Sequence, residues 1–134
     1  MKKLIFTLLT LFTVLVVSPA FAENEAPVFE LRIYTTHSGK MPDLLKRFKN
    51  HTTEIFERHG MVNIGYWLPT DQKDENKLYY ILKHQSRSAA EASWKAFGAD
   101  PEWKKVSTAS EANGPIVAGV ESIFMTSTEF SAIK

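Results

Sequence analysis

Three polar side chains stand at alternate positions near the start of a predicted strand. Glu30, Arg32 and Tyr34 alternate with apolar residues, so they share one strand face at spacings of about 7 Å. A carboxylate, a guanidinium and a phenol at this spacing can form a salt bridge and a hydrogen bond. If the face is enclosed, the three are candidates for orienting a small anionic or carbonyl-bearing ligand. The alternative is that Glu30 and Arg32 neutralise each other, or a neighbouring charge such as Glu121, in the seam of a dimer.

His51 is the candidate general base. On a helical wheel that starts at Leu44, His51 lies at the border between the apolar stripe and the charged face. A histidine there that reaches the rim of a pocket could move a proton. Because Arg47 and Arg58 lie nearby and disfavour its protonated form, an ordinary solvated histidine is the alternative. His59 falls within the stripe, where we expect it to pack its ring and to meet the last carbonyls of the helix.

Metal and cofactor sites find no support in the sequence. The chain has four His and no Cys. His51 and His59 are eight residues apart and point in different directions on the wheel, so they cannot share a metal as residues on successive turns can. The lack of Cys excludes disulfides and cysteine nucleophiles, and no Gly-x-Ser-x-Gly elbow occurs. We predict neither a metal nor a cofactor.

Aromatic residues could supply the walls of a pocket. Tyr66 and Trp67 on the second predicted strand are candidates, as are Trp94 and Trp103 on predicted helices. Large aromatic side chains at such spacings more often belong to a core. We add Tyr66 and Trp67 to the ligand-binding candidates, with a core position as the alternative.

Length and charge restrict the class of protein. The chain has 134 residues, 16 Lys and Arg against 15 Asp and Glu, and a formal charge of +1. This balance argues against a basic groove for nucleic acid. Hydrophobic residues make up 44% of the chain, which at this length is enough for one packed core. We expect one domain and no nucleic-acid partner.

The first 22 residues have the order of a secretory signal peptide. Lys2 and Lys3 precede an apolar run over 4–17, and Ala20 and Ala22 occupy the small-residue positions before a cleavage site. The run is shorter than the roughly 20 residues that span a bilayer, which disfavours an uncleaved anchor. We predict cleavage after Ala22 and a periplasmic or secreted protein without a membrane span. The mature chain would have a flexible leader over 23–27, a domain over 28–131 and a tail over 132–134.

Hydrophobic periodicity and turn residues divide the mature chain into strands and helices. Strands are predicted over 28–36, 62–69, 77–84 and 116–128, and helices over 41–59, 88–97 and 100–112. We expect Ser88 and Glu91 to form a capping box and Gly98 to end that helix. Asp100 is expected to cap the next helix, with Pro101 at its first position.

The order of the elements indicates an α+β protein. The order β-α-β-β-α-α-β matches a ferredoxin-like βαββαβ sheet with its second helix broken in two and both helical segments on one face. On the third strand, Leu78, Tyr80 and Leu82 alternate with Tyr79 and Ile81, so both faces are apolar or aromatic. An apolar outer face needs a cover. We therefore predict a homodimer packed sheet to sheet about a two-fold axis.

Four segments, in order along the chain, resemble one family. They are Phe29-Glu30-Leu31-Arg32-Ile33-Tyr34-Thr35 followed by Gly39-Lys40, then Trp94-Lys95-Ala96-Phe97, Asp100-Pro101-Glu102-Trp103 and Thr128-Glu129-Phe130-Ser131. Together they resemble the NIPSNAP domain over about residues 28–131, with Ser127 where the family often has proline. The resemblance implies a dimeric α/β barrel of ferredoxin-like subunits. It also implies structural signature residues at Asp100, Pro101, Trp103 and Phe130.

The resemblance implies little about chemistry. NIPSNAP domains have no settled biochemical activity, and their superfamily includes cofactor-independent monooxygenases, dehydratases and haem-degrading enzymes. We predict a homodimer of the cell envelope that binds a small apolar molecule or a protein partner without turnover. The alternative is a cofactor-independent enzyme, monooxygenase-like or dehydratase-like, in which Arg32 and Tyr34 orient a small apolar substrate and His51 moves a proton.

Overall fold

The computed structural model describes residues 25–71 and 75–134. As predicted, this part of the chain contains both strands and helices. The strands are β1 (Val28–Thr36), β2 (Val62–Trp67), β3 (Lys77–His84) and β4 (Val117–Met125). The helices are α1 (Met41–Arg47), α2 (Thr53–Arg58), α3 (Arg87–Ala99) and α4 (Pro101–Ser110), and a π-helical segment, Phe48–Thr52, joins α1 to α2. The predicted α+β class is confirmed.

The predicted signal peptide over 1–22 lies outside the described residues. Within 25–71 and 75–134, no helix combines the length and the apolar character needed to cross a membrane.

The sheet is antiparallel and has the strand order β2-β3-β1-β4. In the two central ladders, Arg32 of β1 lies opposite Tyr80 of β3 and Ser122 of β4. Residues directly opposite each other point to the same face of a sheet. Glu30 and Tyr34 therefore share the face of Tyr80 and Ser122, because they lie two residues before and after Arg32.

Two strands are shorter than predicted, whereas β1 and β3 have the predicted bounds. β2 ends at Trp67 rather than Pro69, because Trp67 forms its last pairing, with Tyr79, and a proline has no N–H to extend the ladder. β4 ends at Met125 rather than residue 128, because Met125 pairs with Phe29 where β1 begins.

The helices pack on the face that carries Tyr80, which we call the inner face. The Tyr80 ring is buried and contacts the rings of Tyr34, Phe48, Phe56 and Tyr66 at centroid distances of 5.2 to 6.1 Å. Such edge-on and offset contacts add to the stabilisation from burial. The buried core consists of Met41, Leu44, Phe48, Ile55, Phe56, Met61, Leu78, Tyr80, Leu82, Phe97 and Ile116.

The first helical region is not the single regular helix that the wheel assumes. Between α1 and α2, the Thr52 hydroxyl donates to the Arg47 carbonyl at 3.2 Å and the Thr53 hydroxyl donates to the Phe48 carbonyl at 3.3 Å. Threonine hydroxyls that bond to helix carbonyls locally distort the backbone, and a π-turn inserts an extra residue into the helical repeat. The wheel is therefore irregular after Phe48, although Ile55 and Phe56 still reach the core as it predicts.

The capping box predicted at the start of α3 is wrong. Ser86, not Ser88, is the N-cap: its backbone is extended and its hydroxyl accepts the Ala89 N–H at 2.9 Å. Ser88 lies inside the first turn and bonds to Glu25. The helix also continues through Gly98 to Ala99, because Gly98 keeps a negative φ and the chain turns only at residue 100.

The opposite face of the sheet, which we call the outer face, carries a broad apolar surface. Trp67 and Ile123 on it are 51% and 48% exposed. The face is lined by Phe29, Leu31, Ile33, Ile64, Trp67, Tyr79, Ile81, Ile123 and Met125, and it also carries two charged residues, Lys83 and Glu121.

Asp100 ties the start of α4 to the end of α2. One carboxylate oxygen accepts the Glu102 and Trp103 N–H groups at 2.8 and 3.2 Å, which confirms the predicted cap. The other accepts Arg58 at 2.8 Å and lies 2.7 Å from His59 Nε2. Arg58 and then His59 hold the pKa of Asp100 well below its usual range. The His59 ring thus meets a carboxylate and not the helix carbonyls, which corrects the sequence-based expectation.

Two substitutions at Asp100 distinguish what its capping hydrogen bonds contribute to stability from what its charge contributes. Asp100→Asn keeps an oxygen for the Glu102 N–H but loses the charge that faces Arg58 and His59, so we expect a melting temperature lower by a few degrees. Asp100→Ala loses both contributions and should lower the melting temperature further. Thermal unfolding followed by circular dichroism measures both. An unchanged melting temperature for Asp100→Ala would contradict this role.

Candidate functional site

A buried carboxylate that accepts four hydrogen bonds lies on the inner face. Glu30 is 1% exposed. Its Oε1 accepts Arg32 Nη1 and the Ser122 hydroxyl, each at 2.7 Å. Its Oε2 accepts Trp94 Nε1 at 2.7 Å and His84 Nε2 at 2.9 Å. The sequence-predicted pair of Glu30 and Arg32 is therefore present, and it lies under the helices rather than in an outer seam.

Each donor comes from a different place in the chain. Arg32 lies two residues after Glu30 on β1, His84 is the last residue of β3, and Ser122 lies on β4. Trp94 reaches the carboxylate from α3, whose Ser86 cap sets where the helix begins. The Glu30 carboxylate thus links both neighbours of β1 to the helix layer.

The charge state of Glu30 follows from these contacts. Burial works to raise its pKa, but hydrogen bonds from His84, Ser122, Trp94 and Arg32 outweigh burial and lower the pKa to about 2. Such a shift from 4.5 corresponds to a stabilisation of the ionised form on the order of 3 kcal/mol. Glu30 is therefore a carboxylate at neutral pH and a poor base.

Arg32 is held flat between the carboxylate and aromatic rings. Its guanidinium carbon lies 4.1 Å from the Trp94 ring centroid and 5.5 Å from that of Tyr34, which is cation–π geometry. Burial works to lower its pKa, but Tyr80, Tyr34 and Glu30 outweigh burial and raise the pKa above its ordinary value. Arg32 Nη1 is used by Glu30, whereas Arg32 Nε has no hydrogen-bond partner in the described part of the chain.

The Tyr80 hydroxyl is a second unpaired polar group in this region. It is buried, and among residues 25–71 and 75–134 it has no hydrogen-bond partner. Burial and then the neighbouring Tyr34 raise the pKa of Tyr80 well above its ordinary value. Tyr80 is therefore protonated at neutral pH and can donate a hydrogen bond. Buried polar groups are nearly always paired. Arg32 and Tyr34 lie close enough to the Tyr80 hydroxyl to act on its pKa, so Arg32 Nε and the two tyrosine hydroxyls form one polar group that a ligand atom can join.

One side of the inner face is open to solvent. β4 is an edge strand, and Val120, which lies opposite Tyr34, is 46% exposed. Ser122, opposite Arg32, is also exposed. The helices therefore cover β1 and β3 but leave the β4 side accessible, next to Arg32 and Tyr34.

The two aromatic candidates on β2 separate to opposite faces. Tyr66 lies on the inner face, stacks on Tyr80 at 5.3 Å and donates its hydroxyl to Asn63. Trp67 lies on the outer face opposite Tyr79 and is half exposed. The structure thus brings Tyr66 to the ring cluster beside Arg32 but does not bring Trp67 there.

His51 also lies away from the Glu30 cluster. It is exposed and lines a groove between the first helical region and α4, together with Lys46 and Lys105. The wheel puts His51 at the border of the apolar stripe, and the structure places it on the solvent side of that border. The structure does not place His51 beside Arg32 or Tyr34.

Three of the four signature residues pack at the start of α4. Asp100 caps the helix and Pro101 occupies its first position. The Trp103 ring packs on Phe97 at 4.4 Å. Phe130, in contrast, is 85% exposed and does not pack within this subunit.

Sequence reasoning missed three partners of Glu30. His84 and Ser122 were not predicted as members of the site, Trp94 was considered only as a wall of a pocket, and Glu121 was considered instead of its neighbour Ser122. A strand register that pairs Arg32 with Ser122 would have identified Ser122, but the register depends on the whole sheet. Within the described residues, no group of three or more His, Cys, Asp or Glu could hold a metal ion.

The comparisons place these features among known proteins. A family model described as NIPSNAP matches residues 29–132. No curated protein matches the chain. A NIPSNAP family protein of unknown function from Agrobacterium tumefaciens is 21% identical with a TM-score of 0.70, over 82% of this chain and 96% of its own. A NIPSNAP-like domain protein from Burkholderia xenovorans is 18% identical with a TM-score of 0.69, over 80% and 90%.

A more distant structure belongs to a protein with a described activity. SnoaB, a cofactor-independent oxygenase from Streptomyces nogalater, is 16% identical with a TM-score of 0.53, over 81% of this chain and 99% of its own. At this identity the likeness concerns the fold.

The low pKa of Glu30 predicts how stability depends on pH. Because the folded-state pKa lies below the unfolded value of 4.5, the stabilisation is complete above about pH 4.5 and is lost as the pH falls towards about 2. Glu30→Gln should lower the free energy of unfolding at pH 7 by about 3 kcal/mol and flatten the acid limb. Urea unfolding at several pH values measures this.

Glu54→Gln is the matched control, since Glu54 lies exposed on α2 and should change neither quantity appreciably. An acid limb in Glu30→Gln that runs parallel to the wild-type limb would contradict the account.

Proposed function

The chain belongs to the NIPSNAP family, and from that premise we propose that it is an exported homodimer that binds a small molecule at the inner face. The ligand class follows from the donors: a molecule with a carboxylate or carbonyl end and an apolar body. The observation that carries the proposal is the pair of unpaired buried donors, Arg32 Nε and the Tyr80 hydroxyl.

The geometry around these donors supports a binding role. Glu30 neutralises Arg32 and orients its guanidinium through a hydrogen bond from Nη1. Because Arg32 is already oriented, less conformational entropy is lost when Arg32 Nε donates to a ligand. The aromatic rings of Tyr34 and Tyr80 lie 5.3 Å apart beside it and provide apolar contact area. Val120 marks the open side through which a ligand would enter.

Dimerisation follows from the outer face. The order β2-β3-β1-β4 is that of a ferredoxin-like subunit, in which helices cover one sheet face only. The apolar outer face, with half-exposed Trp67 and Ile123, is larger than scattered surface residues would make it. A second copy packed sheet to sheet would bury it and build a dimeric α/β barrel.

Turnover is the alternative function, and one contact favours it. The Glu30 carboxylate accepts His84 Nε2 at 2.9 Å, while His84 Nδ1 has no partner in the described part of the chain. A carboxylate that orients one ring nitrogen leaves the other available to take a proton. A cofactor-independent enzyme would therefore use His84, not His51, as its base, on a fold like that of the oxygenase SnoaB.

Native mass spectrometry of protein purified from its own cells tests binding and export together. We expect subunits that begin at Glu23 and a retained small molecule. Arg32→Gln and Tyr80→Phe should each reduce ligand occupancy by about tenfold, because each removes one buried donor. Lys95→Gln is the control, since its side chain is exposed on α3 and lies on neither proposed surface.

Equal ligand occupancy in wild type and Arg32→Gln would contradict the binding site. If the wild type converts the retained molecule and His84→Gln does not, the function is turnover and not binding alone.

The dimer is tested at Ile123. Ile123→Glu places a charge in the centre of the proposed interface and should convert the dimer to a monomer in light scattering after size exclusion. Thr108→Glu, exposed on α4, should remain dimeric. A monomeric wild type at micromolar concentration would contradict the proposed assembly.

A further inference from the structure

A second candidate site lies between two helical segments and shares no lining residue with the Glu30 site. A groove of about 540 Å³ runs between the first helical region and α4, within the size range of small-molecule sites. It is lined by Asp43, Lys46, Arg47, Asn50, His51, Glu102, Lys105, Val106, Ala109, Ser110 and Asn113.

The acidic residues of the groove are already paired. Asp43 lies 3.4 Å from Lys40, and Glu102 lies 2.9 Å from Arg58; neither Lys40 nor Arg58 lines the groove. In the described part of the chain, Lys46 and Lys105 have no carboxylate partner. The groove therefore has an excess of positive charge that side chains do not compensate.

Arg47 forms the fixed part of this positive surface. It is 5% exposed, donates Nη1 to the Ser110 hydroxyl at 3.2 Å and lies 5.2 Å from the Trp103 ring centroid. It also forms a salt bridge with Glu111 at 3.6 Å, so the uncompensated charge of the groove comes from Lys46 and Lys105. Across residues 25–71 and 75–134, Arg47 Nε has no hydrogen-bond partner. A buried guanidinium with an unpaired N–H is a strong donor for an anion.

The π-helical segment shapes the same groove. It begins directly after Arg47 and carries Asn50 and His51, both of which line the groove. Single π-turns are frequent at functional sites, because the extra residue changes the direction of side chains. This is independent of the charge argument and concerns the same residues.

We propose that this groove binds a compact small molecule with two or more negative charges, of phosphate or carboxylate type. Lys46, Lys105 and Arg47 contact the charged groups, and Val106 and Ala109 provide a short apolar wall. A groove of about 540 Å³ suits a compact anion better than a long anionic chain such as nucleic acid. The site is separate from the Arg32 site, and its existence does not depend on the proposed function.

Isothermal titration of the purified full protein tests the site, with inorganic pyrophosphate as the phosphate probe and citrate as the carboxylate probe. We expect saturable binding of at least one, and the stronger of the two identifies the chemistry. The double variant Lys46→Gln, Lys105→Gln should weaken binding by at least about tenfold. The double variant Lys95→Gln, Lys104→Gln removes the same charge from exposed positions outside the groove and should stay within about twofold.

Absence of saturable binding for both probes would overturn the proposal. Equal weakening in the two double variants would overturn it as well, because only net charge would then matter.

Discussion

The burial of one carboxylate constrains the rest of this structure. An ionised group at 1% exposure is costly unless its oxygens are fully hydrogen-bonded, and Glu30 meets this condition with four donors. The donors come from β1, β3, β4 and α3, so the strand register and the position of α3 on the sheet must both be correct for the charge to be tolerated. A misplaced helix would leave an uncompensated charge in the core, which gives this packing a large energetic preference.

The same constraint prepares the inner face for a ligand. Glu30 uses one edge of the Arg32 guanidinium and leaves Nε unpaired, while the ring cluster around Tyr80 buries a hydroxyl without a partner. Polar groups held so rigidly have little entropy to lose when they bind. The proposed function and the proposed dimer then divide the sheet between them: the inner face carries the site and the outer face carries the interface.

The sequence pattern predicted the features that depend only on residues close together in the chain. β1 and β3 followed from alternation, and the salt bridge of Glu30 with Arg32 followed from their two-residue spacing. The π-helical segment was not predicted, because it depends on which carbonyls receive the hydrogen bonds that the Thr52 and Thr53 hydroxyls donate. Ser122 and His84 required the register, and Trp94 required the position of α3. The sequence alone could have excluded Trp67 from the site that contains Tyr66, because Trp67 directly follows Tyr66 in a strand and must point to the other face.

The most direct test of the central claim is a crystal structure of the protein purified from its own cells with its retained molecule. The account predicts that a carboxylate or carbonyl oxygen of that molecule lies within hydrogen-bond distance of both Arg32 Nε and the Tyr80 hydroxyl, with Glu30 still accepting its four donors. A molecule bound elsewhere, with Arg32 Nε and the Tyr80 hydroxyl both paired to protein groups, would contradict it.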